Sequence, residues 1–170
     1  VEYHTKLSRV RVLQEMAEDN EGFIISVKRL LDQAKNNSSL GGMMVGVVAK
    51  LMKVPANLEV AIEMALGASV QNIVTKNEED AKYLVRYLKD HKFGRATFLP
   101  ISSMKERRLP DIVEDKLSSR GVLGVASELI SFDPKLAPVF NSLLGTTVVV
   151  DNIDNAVAFS QQTRYSEKIV

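Results

Sequence analysis

PANLEVAIEMALGASVQNIVTKNEEDAKYLVRYLKDHKFGRATFLP, the stretch at residues 55–100, predicts a helix, a strand, a second helix and a second strand. Pro55 suits the start of the first helix, because its missing N–H would find no partner there, and Gly67 stands where a C-terminal cap belongs. A short strand follows, with Val70, Ile73 and Val74. Spacings of three and four residues put the apolar residues of the first helix on one face, which we expect to be buried: Leu58, Ile62, Ala65 and Leu66.

The second helix of this stretch has a clear start and a clear end. Asn77 is a good N-cap, and Asp80 follows three residues later, close to the pattern of a capping box. Gly94 ends the helix, and residues 95–99 are predicted to be the second strand. The inward face of the helix is predicted to be Ala81, Leu84, Val85 and Leu88.

A shorter copy of the same plan returns near the C-terminus. Residues 133–145, DPKLAPVFNSLLG, carry a proline near the helix start and Leu-Gly at its end, as residues 54–67 do. Residues 146–150 match the first strand, a helix opening at Ile153 is expected to bury Val157 and Phe159, and residues 168–170 begin the last strand. The repeat predicts a mixed α/β fold of two helix–strand–helix–strand subdomains related by a quasi-twofold axis.

The remaining segments set the predicted boundaries. Residues 1–21 are predicted to be a polar helix with a thin apolar seam, which fits either the end of a coiled-coil arm or an amphipathic helix packed on its own domain. A more apolar helix follows Gly22, with an inward face of Phe23, Val27, Leu30, Leu31 and Ala34. Residues 36–46 are predicted to be a loop, 45–51 and 122–130 strands, and 101–110 a linker. We therefore divide the chain into an arm (1–21), an N-terminal subdomain (22–109) and a C-terminal subdomain (110–170).

Composition bounds the class of protein. A chain of 170 residues with 45% hydrophobic and 25% charged residues is typical of a globular domain. Cysteine is absent, which excludes disulfides and thiolate metal sites and fits a reducing compartment. No run of about 18 apolar residues occurs, so we expect no membrane partner. The chain begins at Val1, so we expect it to be excised from a longer protein, and its net charge of +1 leaves attraction for nucleic acid to a local patch.

The motifs of the chain predict no catalytic, metal or cofactor site. GGMMVG, residues 41–46, lacks the Lys-Ser/Thr ending of a phosphate loop and precedes a strand, so it favours a turn or a flexible insertion. GASVQ, residues 67–71, departs from a nucleophile elbow at its last position. His4 and His91 lie on separate predicted helices without a second ligand type at metal spacing, and we interpret both as solvated surface residues.

Charge is the uneven feature of this sequence. Between residues 86 and 108 the cations far outnumber Asp90 and Glu106, and they are Arg86, Lys89, Lys92, Arg95, Lys105, Arg107 and Arg108. Such a run is either a solvated face or a patch that contacts a nucleic-acid backbone. On the second interpretation the quasi-twofold axis brings the DNA-binding candidates to one surface: Lys92, Arg95, Arg164 and Lys168. Arg95 has an alternative role, because it lies inside a predicted strand and would brace the fold by pairing with a carboxylate.

Three segments carry a resemblance to a known family. LEVAIEMALGASVQNIV (58–74), GRATFLP (94–100) and LLGTTVVVD (143–151) resemble the hinge domain of a prokaryotic structural maintenance of chromosomes (SMC) protein. The similarity extends over residues 21–170. It includes the Gly22-Phe23 step, the Val54-Pro55 turn, and Arg164-Tyr165 followed by Ile169-Val170.

The resemblance implies a function that spacing alone does not show. Hinges of this family lie at the far end of a long antiparallel coiled coil from an ATP-hydrolysing head. Two hinges associate as a homodimer, N-terminal subdomain against C-terminal subdomain, and join two arms in chromosome condensation and segregation within the cytoplasmic nucleoid. Isolated hinges bind single- or double-stranded DNA through basic surface near the coiled-coil exit. On this resemblance residues 1–20 are the tip of an arm, the chain itself is not an enzyme, and ATP belongs only to the absent head.

One departure from the family bears on assembly. Family members continue past the Ile-Val strand into a glycine-rich segment at the dimer interface, whereas this sequence ends at Val170. We therefore expect this chain to be a monomer or a weak dimer, and a C-terminally extended form to be a stable dimer. Two other interpretations stay open on the residues alone. One is a small-molecule-binding or enzymatic α/β domain, which needs a pocket with converging polar groups, and the other is a spacer without DNA contact.

Overall fold

The two sequence repeats fold into two small sheets of the same topology. The structure is a computed structural model that describes residues 23–170. Its strands are β1 (Met44–Val47), β2 (Met52–Lys53), β3 (Ile73–Thr75), β4 (Phe98–Pro100), β5 (Val122–Val125), β6 (Ser131–Phe132), β7 (Thr147–Val150) and β8 (Lys168–Ile169). One sheet has the order β1-β3-β4 and the other the order β5-β7-β8. In each sheet the first pair is antiparallel and the second is parallel, which confirms the repeated mixed α/β plan.

The predicted helix, strand, helix, strand order is found in both repeats. The helices of the described residues are α1 (Ile25–Asn36), α2 (Ser38–Met43), α3 (Glu59–Leu66), α4 (Glu78–Asp90), α5 (Asp111–Glu114), α6 (Ala137–Leu144) and α7 (Ile153–Thr163), of which α2 and α5 were not predicted. The Asn77 side chain accepts from the Asp80 N–H at 2.8 Å and so caps α4. Asn152 caps α7 in the same way, with the Asn155 N–H at 2.9 Å. Each cap satisfies a backbone donor that has no partner inside its helix, so the two repeats begin their second helix by the same device.

The subdomains join through the short strands β2 and β6. These strands pair antiparallel, with Met52 opposite Phe132 and Lys53 opposite Ser131. The pairing is symmetric, because each copy contributes the equivalent strand and the two strands run in opposite directions. A twofold axis between the copies requires this arrangement. The Phe132 ring stacks on Phe140 of α6 with centroids 4.7 Å apart, and α3 contacts α6 beside it.

The core has a central layer and two outer layers. The central cluster is shared between α3 and α6 and the facing sides of both sheets, with Ile62, Val74, Phe140 and Val149 among its members. The N-terminal outer cluster lies between the first sheet and helices α1, α2 and α4, and consists of Val27, Leu30, Leu40, Val47, Ile73, Leu84 and Leu88. The C-terminal outer cluster consists of Leu109, Val113, Val125, Val148 and Phe159. Neighbouring residues of β3 and β7 therefore point into different layers, as strand geometry requires.

The predicted buried face of α3 is confirmed, but the predicted burial of one residue in each of α4 and α7 is wrong. Leu58, Ile62, Ala65 and Leu66 are all buried. Val85 of α4 is 52% exposed and Val157 of α7 is 48% exposed, although Ala81, Leu84, Leu88 and Phe159 are buried as predicted. In residues 23–170 each of the two larger sheets has three strands, and Val85 lines a groove along the edge strand β4, so the described strands leave its side chain partly exposed.

The predicted loop at residues 36–46 is also wrong. Residues 38–43 form α2, because the Asn37 side chain caps it through the Leu40 N–H at 3.1 Å and Leu40 is buried in the N-terminal outer cluster. The GGMMVG segment therefore ends a helix and begins β1, and is not a flexible insertion. Tertiary burial here outweighs the poor helix propensity of two glycines.

Several predicted strands are shorter than expected or displaced. Val70 lies in a 3₁₀ turn (Gly67–Gln71), so β3 begins at Ile73. Further 3₁₀ turns interrupt the strands predicted at 45–51 and 122–130, at Val48–Lys50 and Ala126–Glu128. The strand expected at 95–99 is found at Phe98–Pro100. The predicted arm at residues 1–21 lies outside the residues that the structure describes, and the subdomain boundaries stay a prediction.

Candidate nucleic-acid interface

The loop after α4 presents two of the four DNA-binding candidates. α4 ends at Asp90, and the Phe93 N–H donates to the Leu88 carbonyl at 2.9 Å, which closes the helix. Lys92 lies in the left-handed region with a φ of 53°, the usual conformation just past a helix C-terminus. Lys92 and Arg95 are both exposed. The helix terminus thus directs this basic loop outward.

Helix α1 holds this loop in place. The Ser26 hydroxyl donates to the Arg95 carbonyl, so Arg95 is anchored by its backbone and this contact does not use its guanidinium. A Cβ at Gly94 would lie 3.3 Å from the Ser26 Cβ, which shows how closely the two segments pack. The Arg29 guanidinium lies 5.8 Å from the Phe93 ring centroid, a cation–π contact between α1 and the same loop.

A groove beside the loop is basic with an apolar floor. Its volume is about 680 Å³, and its lining consists of Val85, Leu88, Lys89, Lys92, Gly94, Arg95 and Ala96. An adjoining groove along β4 adds Lys82, Arg86 and Glu78. Within the part of the chain that the structure describes, none of these cations forms an ion pair. The alternative that Arg95 braces the fold with a carboxylate therefore finds no support in residues 23–170.

Arg164 and Lys168 lie in the other subdomain and do not line this groove. Arg164 caps α7 with a φ of 58°, and Tyr165 follows it, also left-handed with a φ of 56°. Arg164 is exposed. The structure thus divides the four candidates into a pair beside α1 and a pair at the end of the C-terminal repeat.

Lys168 has an intramolecular role that the sequence did not reveal. Its Nζ lies 2.8 Å from the Ala65 carbonyl and 3.4 Å from the Met64 carbonyl, in the last turn of α3. A cation there satisfies carbonyls that lack a helical partner and complements the negative end of the helix dipole. Lys168 therefore ties the last strand of one subdomain to a helix of the other.

The basic segments that follow α4 and α7 are also less equivalent than the sequence repeat suggested. Phe98 lies opposite Ile73 and Ile169 opposite Val148, so strand register makes Lys168 the counterpart of Thr97, not of Arg95. Seven residues separate α4 from β4, whereas four separate α7 from β8. The longer N-terminal loop is the one that carries Lys92 and Arg95.

Each three-stranded sheet has two edge strands, and the edges formed by β4 and β8 direct backbone groups outward. The Ile73 N–H donates to the Thr97 carbonyl, so residues 97 and 99 face β3 and Phe98 directs its backbone N–H and C=O away. The Val170 N–H donates to the Val148 carbonyl, and the Val170 carbonyl accepts from the Val150 N–H. Ile169 therefore directs its backbone N–H and C=O away from β7, as Phe98 does from β3. Val85 of α4 lines the groove along β4 and is partly exposed, and α7 also carries exposed apolar side chains, Ile153 and Val157.

Comparison with known families identifies this arrangement. The SMC proteins Flexible Hinge Domain family matches residues 41–160. The chain belongs to the SMC hinge family. The hinge is a dimerisation module of SMC proteins and has no catalytic role of its own.

Relatives of the hinge are chromosome partition proteins. The chain is 38% identical over 164 residues to the chromosome partition protein Smc of Bacillus subtilis, and 40% identical over 164 residues to that of Lactiplantibacillus plantarum. These matches cover 96% of the chain but 14% of each relative. The hinge sequence thus spans about a seventh of the curated relatives' length.

Solved hinge structures share the fold. The chain superimposes on an asymmetric dimer of the Geobacillus stearothermophilus SMC hinge domain with a TM-score of 0.87, at 32% identity, covering 98% of this chain and 65% of that one. The Pyrococcus furiosus SMC hinge domain gives a TM-score of 0.58 at 30% identity, over 78% of this chain and 76% of that one. In residues 23–170 no helix is both long and apolar enough to cross a bilayer, and no group of three potential ligands is placed to hold a metal ion.

Proposed function

We propose that this hinge joins two SMC arms as a homodimer and contacts DNA through the groove beside α1, without reading its sequence. The parent protein would hydrolyse ATP in a separate head and act on the chromosome in the cytoplasmic nucleoid. The observation that carries DNA contact is the set of cations in one acid-free groove: Lys89, Lys92 and Arg95. The hydrogen bond from Ser26 of α1 to the Arg95 carbonyl ties this loop to the first described helix, which supports contact close to the base of the arm.

Phosphate binding fits this groove better than small-molecule catalysis does. Cations that face solvent without a carboxylate partner keep their full charge for a phosphate, and each contact releases a condensed counterion from DNA. An enzyme or small-molecule site would need converging polar groups of several kinds, whereas the groove offers cations over aliphatic side chains. The alternative of an enzymatic α/β domain therefore has no site to support it in residues 23–170.

The candidates differ in how free they are to bind DNA. Among residues 23–170 no side chain pairs with the charged groups of Lys92 and Arg95, and exposed Arg164 adds charge in the other subdomain. Lys168 directs its ammonium to the end of α3, and a phosphate would have to compete with the Ala65 carbonyl. We therefore assign the main contact to Lys92 and Arg95, with Arg164 and Lys168 as secondary contacts.

The DNA proposal is tested by reversing the charge of the loop. Lys92→Glu/Arg95→Glu is expected to weaken binding to duplex DNA by at least about tenfold, and to flatten the log–log salt slope by about 1.8, since each lost contact contributes about 0.9. Unrelated duplex sequences should lose affinity equally, because phosphate contacts carry no base information. Fluorescence anisotropy at three salt concentrations measures both quantities.

The matched control for this test is Lys116→Glu/Arg120→Glu. These two cations are exposed in the C-terminal subdomain, and the change in net charge is the same. The control should keep most of the affinity and the slope if the groove is the binding site. Equal losses in both variants would show that DNA responds only to net charge, and an unchanged affinity in the loop variant would remove Lys92 and Arg95 from the interface.

Dimerisation is proposed to use the free edges of β4 and β8. An edge strand offers unpaired backbone groups to another chain, and β4 and β8 carry Phe98 and Ile169 in equivalent outward positions. Pairing β4 of one chain with β8 of the other, and the reverse, closes a twofold dimer and buries the apolar flanks of α4 and α7. This arrangement also explains why Val85 and Val157 are exposed in a single chain.

A proline at the β8 edge tests this interface. In a form extended beyond Val170, Ile169→Pro removes an outward N–H without removing a bond to β7. A net hydrogen bond contributes about 0.5–1.5 kcal/mol, and a twofold dimer loses two, so the dimer dissociation constant should rise by roughly 5- to 150-fold. Ile169→Val keeps the N–H and should stay dimeric. Light scattering over a concentration series makes the comparison, and an unchanged dissociation constant for the proline variant would place the interface elsewhere.

A further inference from the structure

A second cleft lies in the C-terminal subdomain, bordered by α6, the 3₁₀ turn at Ala126–Glu128 and the segment at residues 106–109. Its volume is about 300 Å³, and it shares no lining residue with the basic groove or with the groove along β4. Seven of its ten lining residues are polar or charged. The cleft therefore differs in chemistry from both grooves, and the function proposed above makes no use of it.

The floor of this cleft contains a buried hydroxyl, that of Ser127. The residue is only 6% exposed and lines the cleft. Within residues 23–170 this hydroxyl has no hydrogen-bond partner, and no unpaired polar side-chain atom of these residues is sealed from solvent. The small exposed part of Ser127 therefore includes its oxygen, which opens on the cleft. Burial of an unpaired hydroxyl costs free energy, and a hydrogen bond to a ligand recovers part of that cost.

The other repeat shows that the fold does not need a hydroxyl at this position. Ser127 and Ala49 are each the second residue of the 3₁₀ turn that follows the first strand of its sheet. Ala49 is exposed and has no polar side-chain atom, whereas Ser127 is buried. The same turn therefore forms with alanine in one copy, and a reason for the serine has to be found in the cleft.

The rim of the cleft carries charges of both signs. Arg107 and Arg108 are exposed cations, and Glu114 and Glu128 are exposed carboxylates. Within the described part of the chain, none of the four forms an ion pair with another side chain. A purely anionic ligand would meet the two carboxylates, and a purely cationic ligand the two guanidiniums. The rim thus favours a molecule that carries both charges.

The walls of the cleft are held in place before any ligand binds. Asn141 of α6 donates from its Nδ2 to the Glu106 Oε1 at 3.2 Å, which ties the helix to the segment and leaves the amide oxygen as an acceptor. One turn later, a Cβ at Gly145 would lie 2.4 Å from the Arg107 carbonyl oxygen, so the same two elements are in close contact there. Ligand sites are usually preformed in this way.

We propose that this cleft binds a small zwitterion of the amino-acid class. Glu114 and Glu128 attract its ammonium. The guanidiniums of Arg107 and Arg108 bind its carboxylate, for which their planar fork of donors is suited. The Ser127 hydroxyl hydrogen-bonds to the ligand side chain at the floor. Ligand pockets span about 300–1,000 Å³, so a cleft at the lower limit accommodates a single amino acid.

The test titrates the isotope-labelled whole chain with L-glutamine, L-lysine and L-glutamate in separate NMR experiments. At least one of them should shift the amide signals of residues 107–109 and 126–128 in a saturable way. The methyl ester of the tightest binder lacks the carboxylate, and its N-acetyl form lacks the ammonium. Each derivative should bind about 10- to 150-fold more weakly, the effect of losing one charge-assisted hydrogen bond. If none of the three amino acids gives a saturable shift, the inference is overturned.

Variants of the cleft test the assigned contacts. Ser127→Ala should weaken binding about 2- to 12-fold, the effect of one neutral hydrogen bond, and Ala49 in the other repeat indicates that this variant folds. Arg108→Gln and Glu128→Gln each remove one charge and should each weaken binding. Ser131→Ala is the matched control, because this exposed serine lies outside the cleft and should bind as the parent does. Unchanged affinity in all three cleft variants would overturn the inference. Neither result bears on the proposed DNA contact, which uses a different surface.

Discussion

Phe140→Ala is expected to lower the free energy of unfolding by about 3–5 kcal/mol, and Ile62→Ala by about 2–5 kcal/mol. Each residue is the fourth of an eight-residue helix in its repeat, and both are buried in the central cluster that the subdomains share. Truncation leaves a cavity that neither sheet can fill, because α3 and α6 are held between them. Phe140→Ala also removes the stack with Phe132 that sits behind the β2–β6 pair.

Both substitutions should shift one common transition. The shared cluster couples the subdomains, so neither has a separate central core to unfold by itself. Urea denaturation followed by circular dichroism measures the shift, and Val60→Ala is the control, because this α3 residue is 75% exposed and should change stability by less than about 0.5 kcal/mol. Two separate transitions in either core variant would contradict a shared core and favour independent subdomains.

The parts of the fold that were predicted correctly are those with a local cause. The cap at Asn77 is a hydrogen bond across three residues. The buried face of α3 follows from spacing alone, and comparison of two segments of one chain revealed the repeat. Such signals need no knowledge of what packs on the element, so a sequence carries them in full.

The wrong predictions depend on what lies next to an element in space. Val85 and Val157 have the spacing of core residues, but no neighbouring element of residues 23–170 buries them fully, and each is about half exposed. The glycine-rich segment forms α2 because its Leu40 is buried in the N-terminal outer cluster, among residues that are distant in sequence. Neither sheet width nor a distant pocket can be inferred from apolar spacing.

The candidate site shows the same division. Clustered charge in the sequence pointed to Lys92 and Arg95, and the structure places both at one groove. The contact between Lys168 and Ala65 joins residues 103 positions apart, so no local pattern announces it. His91 is exposed, as predicted, but its stack with Tyr87 was not predicted, because it depends on how α4 ends. An aromatic residue four positions before a histidine at a helix end was the available signal.

The two equivalent glycines after α3 and α6 illustrate how one sequence match can have two physical causes. Gly67 has a φ of 54° and ψ of −131°, a backbone conformation that L side chains rarely adopt, with open space around its α-carbon. Gly145 has an ordinary φ of −70°. A Cβ there would lie 2.4 Å from the Arg107 carbonyl oxygen and 2.2 Å from that of Asn141. The first glycine is required by conformation and the second by space.

Gly145→Ala is therefore expected to destabilise the chain by about 3 kcal/mol, the upper end of overpacking, since the obstacles are backbone atoms that cannot change rotamer. Relief would move the segment at residues 105–109, whose Leu109 is buried in the C-terminal outer cluster. Gly42→Ala is the matched control, because this glycine lies in α2 with nothing within 4 Å of an added Cβ, and helix propensity predicts a gain of about 0.5–1 kcal/mol. Urea denaturation of both variants should give shifts of opposite sign, and a Gly145→Ala protein as stable as the parent would show that the segment over α6 yields freely.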